Sequence, residues 1–403
     1  MRKHLAVNIL LGVTILLLGA FGPAYALPEV DNVASGDVQI QYPDQNTLQI
    51  NASDKAIINY KSFDIRQNES VVVNLPSSQN MLLNRVIGDK VSEIFCSLTC
   101  NGIFMLVNPN GINIGPTANI DVAGLVASTR DITNSDFLSS HYVFEKMSKD
   151  QLDLLLLNQG NITIRDGGFG VLIAGAIENT GVIAARLGTI SLAAGDMVTL
   201  GLSENGLISI AIDLPTAKEV YDYEGKPVSD QIRNIGILEA RSGSILMKAE
   251  SINNVFKKAI NLEGYVNAAK LDKHADGTIH LASKGEIVVN ADINATNIII
   301  GEENIAPKVV TVEGKALNAE KSVKIAAENI SVITSSPLTE VYKVGYDLSI
   351  ASASSLDNLI TLEGLGFKLT YLANSDLTLH SDNAVNTAPG VILSGNQVKV
   401  IGK

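Results

Sequence analysis

The chain has 403 residues, of which 46% are hydrophobic and 18% charged, a balance that excludes intrinsic disorder because ample apolar surface is available for burial. Its formal net charge of -12 argues against nucleic acid as a partner, since phosphate contacts need clustered Lys and Arg. Aromatic residues are 5% and Trp is absent, which leaves little material for a sugar-stacking cleft.

Residues 1–26 read as a signal peptide. Arg2, Lys3 and His4 form a basic start, Leu5 to Gly19 is apolar, and Ala24-Tyr25-Ala26 is a small-x-small cleavage site. The Sec translocon is the partner this segment implies. Its removal takes away two positive charges, so the net charge moves from -12 to -14 (-12 minus 2). A retained anchor is the competing reading, disfavoured by Asn8, Gly12 and Thr14 inside the run and by the processing site. The mature chain is expected to be exported and soluble.

Short apolar runs broken by turn residues follow from Ala56 to Phe137, centred on Asn108-Pro109-Asn110-Gly111-Ile112. Pro109 fixes φ and removes a donor, and Asn110-Gly111 tolerates positive φ, so the five residues read as a tight turn. It joins Ile103-Phe104-Met105-Leu106-Val107 to Ile112-Asn113-Ile114, two short buried strands. Such a turn is common by itself. Around it, however, stand Lys55-Ala56-Ile57-Ile58-Asn59-Tyr60-Lys61-Ser62-Phe63-Asp64-Ile65, Leu83-Asn84-Arg85-Val86-Ile87-Gly88, Gly115, Val122-Ala123-Gly124-Leu125-Val126-Ala127-Ser128-Thr129 and Phe137.

In this order and spacing the motifs resemble the secretion domain of two-partner-secretion exoproteins, the filamentous-haemagglutinin-like or haemagglutination activity domain family, over Val38 to Leu214. Tyr60 departs from the family's usual Trp, and Cys96 and Cys100 from its usual small residues. The resemblance implies an all-β, right-handed parallel β-helix with an N-terminal cap. It also implies recognition of the extended chain by the periplasmic domains of a cognate outer-membrane β-barrel transporter. Asn84, Arg85, Asn108, Pro109, Asn110, Gly111 and Ile112 are the residues expected to serve that recognition. The protein would then be a secreted, adhesin-like passenger on a Gram-negative-type cell surface. Arg85, set among Leu83, Val86 and Ile87, either snorkels outward or is paired in a salt bridge.

Cys96 and Cys100, in an exported chain, suggest one small disulfide. An extended segment holds the two Cα atoms too far apart, so Ser97-Leu98-Thr99 would have to turn back. Free thiols or a metal pair are the alternatives, and no His lies near in sequence. Further on, Ser148 and Gln151 stand at capping-box spacing, which predicts a lateral insertion with a helical turn between Phe137 and Leu157.

From Gly160 a loose repeat begins. Asn179-Thr180-Gly181 through Ala194 and Asn234-Ile235-Gly236 through Ala249 share a register at an offset of 55 (234 minus 179). Gly264 to Ala268 with Gly277 to Ala282 form a looser third copy. Strands at this spacing suit a sandwich, a barrel or a β-solenoid; the shared register favours the solenoid. Asn and Gly recur before the strands, where stacked coils are expected to need positive φ and where Asn side chains can bond coil to coil. Asp213 to Arg233, charged and carrying Pro215, Gly225 and Pro227, reads as an exposed excursion. The organisation is therefore a signal peptide (1–26), a secretion domain (27–214), an excursion (215–233) and a shaft (234–403) that ends in strand-like Val391-Ile392-Leu393 and Val398-Lys399-Val400-Ile401.

Many β-helices are polysaccharide lyases or hydrolases, so an enzyme acting on surface polysaccharide is the alternative. Glu302-Glu303 reads as a solvated turn, and Asp272, His274, Asp276 and His280 surround an insertion where polar residues are ordinary. Gly167-Gly168-Phe169-Gly170 lacks the Asp of a calcium repeat, with Leu172 in its place. No catalytic residue, metal or cofactor is expected. Surface glycans or proteins of a host or neighbouring cell are the further partners that a surface adhesin would meet.

Overall fold

The computed structural model describes residues 27–147, 152–203, 208–271, 274–301, 305 and 307–313, then backbone strands between Leu317 and Gly402. The expectations for residues 1–26, Ser148, Gln151, Asp272, Glu302, Glu303 and 391–393 lie outside the described residues.

Alternating aliphatic and small polar residues send every second side chain inward. Parallel pairing then aligns those residues coil upon coil. In one wall the column runs Leu48, Val71, Leu98, Ile120, Ile162, Ile183, Leu238, Val266 and Ile293, one residue per coil. In the facing wall it runs Ile112, Leu156, Ile177, Ile232, Ile260, Ile287 and Val310. All of these side chains are buried in one continuous core. Among the described residues the walls form sheets of 19 and 12 strands, almost wholly parallel, so the chain is a parallel β-helix.

The repeat offset of 55 is the pairing itself: Val182 lies against Ile237 and Thr189 against Ser244. The next coil follows with Ile237 on Tyr265 and Ser244 on Thr278.

Two ladders mark the corners. Asn158 Nδ2 donates to Asn179 Oδ1, and Asn179 Nδ2 to Asn234 Oδ1, each at 2.7 Å and fully buried. The glycines differ from expectation, because Gly181, Gly236 and Gly264 do not have positive φ. They are needed for close approach: a Cβ on Gly236 would lie 2.0 Å from the Gly181 carbonyl oxygen, and one on Gly264 2.1 Å from that of Gly236. Positive φ falls instead on Leu187 (56°) and Ser242 (53°), again 55 positions apart.

An antiparallel cap closes the N-terminal end. Glu29–Ser35 pairs with Ala56–Ser62, and Val38–Asp44 forms a hairpin with Thr47–Ala52. It covers what would otherwise be a bare sheet edge.

The lateral insertion has a short helix at Asn134–Leu138, capped by Thr133, whose hydroxyl accepts from the Asp136 N–H at 3.1 Å. Tyr142–Glu145, Met197–Leu202 and Ile208–Leu214 then form a three-stranded antiparallel sheet. Phe137, Phe144, Val198 and Leu200 bury themselves on the outer face of the helix wall, against Leu83, Met105, Val126 and Val171. The segment 215–233 is less exposed than its charge suggests. Thr216 and Val220 are fully buried, Val220 packs with Leu155 and Ala176, and Asp230–Asn234 is a rung strand. Charge at the tips of the excursion hides a small apolar anchor that returns it to the wall.

Candidate functional site: the Asn108 turn and its supports

The strand Ser97–Val107 ends where Asn108, fully buried, turns the chain toward Ile112–Ile114. Asn108 Oδ1 accepts from the Asn110 backbone N–H at 2.9 Å and from Asn110 Nδ2 at 3.1 Å, a local Asx turn. Its Nδ2 donates to the Lys90 carbonyl and to Ser92 Oγ, both at 2.9 Å, so the turn is sewn to the preceding coil. Asn110 Nδ2 adds a bond to the Gly88 carbonyl at 2.7 Å. Gly111 has φ +117°, and a Cβ there would meet Leu154 and the Tyr223 hydroxyl at 3.2 Å. Only glycine suits both constraints. Ile112 then enters the aliphatic column, and Pro109 is half-buried at the rim.

Asn84 lies one coil away and is also fully buried. It accepts from the Tyr60 hydroxyl at 2.9 Å and donates to the Met105 carbonyl at 3.2 Å. Burial pushes the Tyr60 hydroxyl far above its ordinary pKa, which keeps it a donor. Arg85 points the other way, out of the wall. Its Nε binds Asp131 Oδ1 at 2.8 Å, one Nη binds Asn134 Oδ1 at 2.5 Å, and the other binds the Ile132 carbonyl. It is paired rather than snorkelling, and it ties the wall to the helix of the insertion. The structure thus places Asn108, Asn110, Gly111 and Ile112 in one corner, while Asn84 and Arg85 face opposite sides of their strand.

Beside this corner is a cluster that sequence reasoning missed. Arg130, 1% exposed, grips Asp153 with two parallel bonds of 2.9 and 2.8 Å. It also reaches Asp196 Oδ1 at 3.0 Å and the Gly195 carbonyl at 2.9 Å, while Lys146 Nζ binds Asp153 at 2.8 Å. Burial pulls the Asp153 carboxyl upward, but Arg130 and Lys146 outweigh it and hold the group below its ordinary range. Partners 23 and 66 residues apart leave no local signal; the one hint was Arg130 directly after the apolar run Val122 to Thr129.

Cys96 and Cys100 are not bridged in this structure, where Ser97, Leu98 and Thr99 belong to an extended strand and do not turn back. Burial raises the Cys100 thiol to a pKa of about 11. Of the polar residues near the 265–280 insertion, His274 is exposed and Asp276 binds Lys270 at 3.0 Å.

Fold and corner geometry define a class: a parallel β-helix with an antiparallel N-terminal cap, a motif-bearing turn sewn into its early coils and a lateral sheet. Residues 26–295 match the TPS secretion domain family, more than half of the chain, and the chain belongs to that family. The match runs well past Leu214, where the resemblance read from sequence ended. The chain is 29% identical over 352 residues to a heme/hemopexin-binding protein of Haemophilus influenzae, and 28% identical over 334 residues to the protein of that name from strain KW20. Each alignment covers 80% of this chain, but only 35% and 33% of the relative, so the chain spans about a third of their length. The crystal structure of the HMW1 secretion domain from Haemophilus influenzae matches with a TM-score of 0.65 and 24% identity, covering 93% of this chain and 100% of that one. It bears out the β-helical fold. None of these matches supports the polysaccharide-enzyme alternative.

Proposed function

We propose that this chain is the passenger end of a secreted surface exoprotein, and that a cognate outer-membrane transporter reads its N-terminal domain before it folds. The observation that carries this reading is burial. Asn84, Asn108 and Ile112 have no exposed surface to offer in the folded state, and Gly111 is buried beside them. A transporter that reads them must therefore meet the unfolded chain. Folding outside then withdraws the signal into the core. Each added coil buries further apolar surface, which supplies a direction without a nucleotide-driven pump. The shaft beyond residue 234 is the segment we assign to contacts with glycans or proteins of other cells.

The test is export of the full chain with and without the candidate transporter, comparing Asn108→Ala with Asn179→Ala. Asn179 is equally buried and is likewise bonded to the coils on either side, but lies outside the motif. Transporter-dependent export of the parent and of Asn179→Ala, with Asn108→Ala retained in the periplasm, is the expected result. Equal retention of both variants would mean that lost stability blocks export, and would remove Asn108 from recognition.

A further inference from the structure

The two cysteines sit where oxidation and folding exclude one another. Cys100 occupies the interior of the strand Ser97–Val107, 1% exposed, paired with Val73 on one side and Val122 on the other. Cys96 packs against the same core, and its carbonyl already accepts from the Asn119 N–H of the next coil at 3.1 Å. The ladder therefore holds the chain extended from Cys96 to Cys100. Four residue steps at about 3.3 Å place their Cα atoms on the order of 13 Å apart, roughly twice the reach of a disulfide. The unfolded chain has no such restraint, and a five-residue loop closes readily.

We infer that Cys96 and Cys100 form a redox-controlled folding block: the dithiol chain completes the coil through Ser97–Val107, and the disulfide chain cannot. In the closing step the two thiols lose two protons and two electrons and one S–S bond forms. A thiol–disulfide oxidant accepts the electrons and becomes two thiols. The bridge pulls Ser97, Leu98 and Thr99 out of register with Ser70 to Val72 and with Asn119 to Asp121. Leu98 then leaves the aliphatic column, and the coils on either side lose their continuity. Once folded, the chain is protected, because Cys100 is enclosed and out of reach of an oxidant. The exclusion is a property of the chain alone. Its consequence for export, holding the chain in the extended form a transporter would read, rests on the function proposed above and requires a small-molecule thiol outside the cell to reopen the bridge, itself becoming a disulfide, before the coils stack.

The experiment uses the full chain, unfolded in urea and oxidised with glutathione disulfide at low protein concentration. The 96–100 bridge is verified by peptide mass, and the urea is then removed. The native far-UV circular dichroism signal and the protease-resistant fragment are expected to be lost, because the bridge takes Leu98 out of the core and breaks the ladder toward both neighbouring coils. Dithiothreitol restores both. Cys96→Ser/Cys100→Ala, which carries no thiol and keeps a small side chain in the core, refolds equally with and without oxidant. A chain with the verified bridge that regains the same protease-resistant fragment overturns the inference. So does a Cys96→Ser/Cys100→Ala chain that oxidant blocks to the same extent. No transporter takes part, so this outcome is independent of the export test.

Discussion

Replacing Asn108 by Ala should destabilise the folded chain even where no transporter is present. The side chain makes four hydrogen bonds: two accepted from Asn110, and two donated to Lys90 and Ser92. At about 1 kcal/mol net for each, the loss comes to ~4 kcal/mol, and Ser92, fully buried, is left without that donor. Urea unfolding followed by far-UV circular dichroism measures it, since the chain lacks Trp for fluorescence. Asn108→Asp separates the contributions. It keeps both acceptor bonds within the Asx turn, loses both donor bonds to the preceding coil, and buries a charge, so it should be at least as damaging. A loss below about 1 kcal/mol for Asn108→Ala would refute the claim that this residue sews the coils together. The motif would then matter to recognition alone.

Other substitutions probe the corners and the buried cluster. Gly236→Ala should cost about 3 kcal/mol or more in the same unfolding assay, because its Cβ meets a backbone oxygen at 2.0 Å and not a side chain that could move aside. Asp153→Asn should cost about 3–5 kcal/mol at neutral pH, because it leaves the Arg130 guanidinium buried without its bidentate partner. The depressed Asp153 pKa also sets a pH dependence. Its contribution is fully present above the unfolded carboxylate value of about 3.9 and is lost as pH falls through the lower folded value. Wild-type unfolding midpoints should therefore drop below about pH 4 more steeply than those of Asp153→Asn, and parallel curves would assign the acid sensitivity to other carboxylates. Arg85→Ala should loosen the insertion and spare the coils, seen as faster hydrogen exchange in Asn134–Leu138 with little change in the strand Ser97–Val107.

The sequence alone determined the coil. Period-two aliphatic alternation dictates inward columns, and the register shared by Asn179 to Ala194 and Asn234 to Ala249 dictates which coils touch, because stacking pairs like with like. The turn at Asn108 to Ile112 was legible for the same reason: its residue types constrain φ locally. What lay beyond that reach was every feature made by residues distant in the chain. Arg130 finds Asp153 and Asp196 only because the lateral sheet folds back over the wall. The glycines are required by a neighbouring coil's carbonyl, not by their own φ, so their local sequence could not reveal the reason. Val220 becomes core only after the wall exists to receive it. The thiols of Cys96 and Cys100 stay apart because the coils above and below hold their segment straight. Local patterning decides the period of the solenoid. Its corners and insertions are decided by contacts that exist only once the coils have stacked.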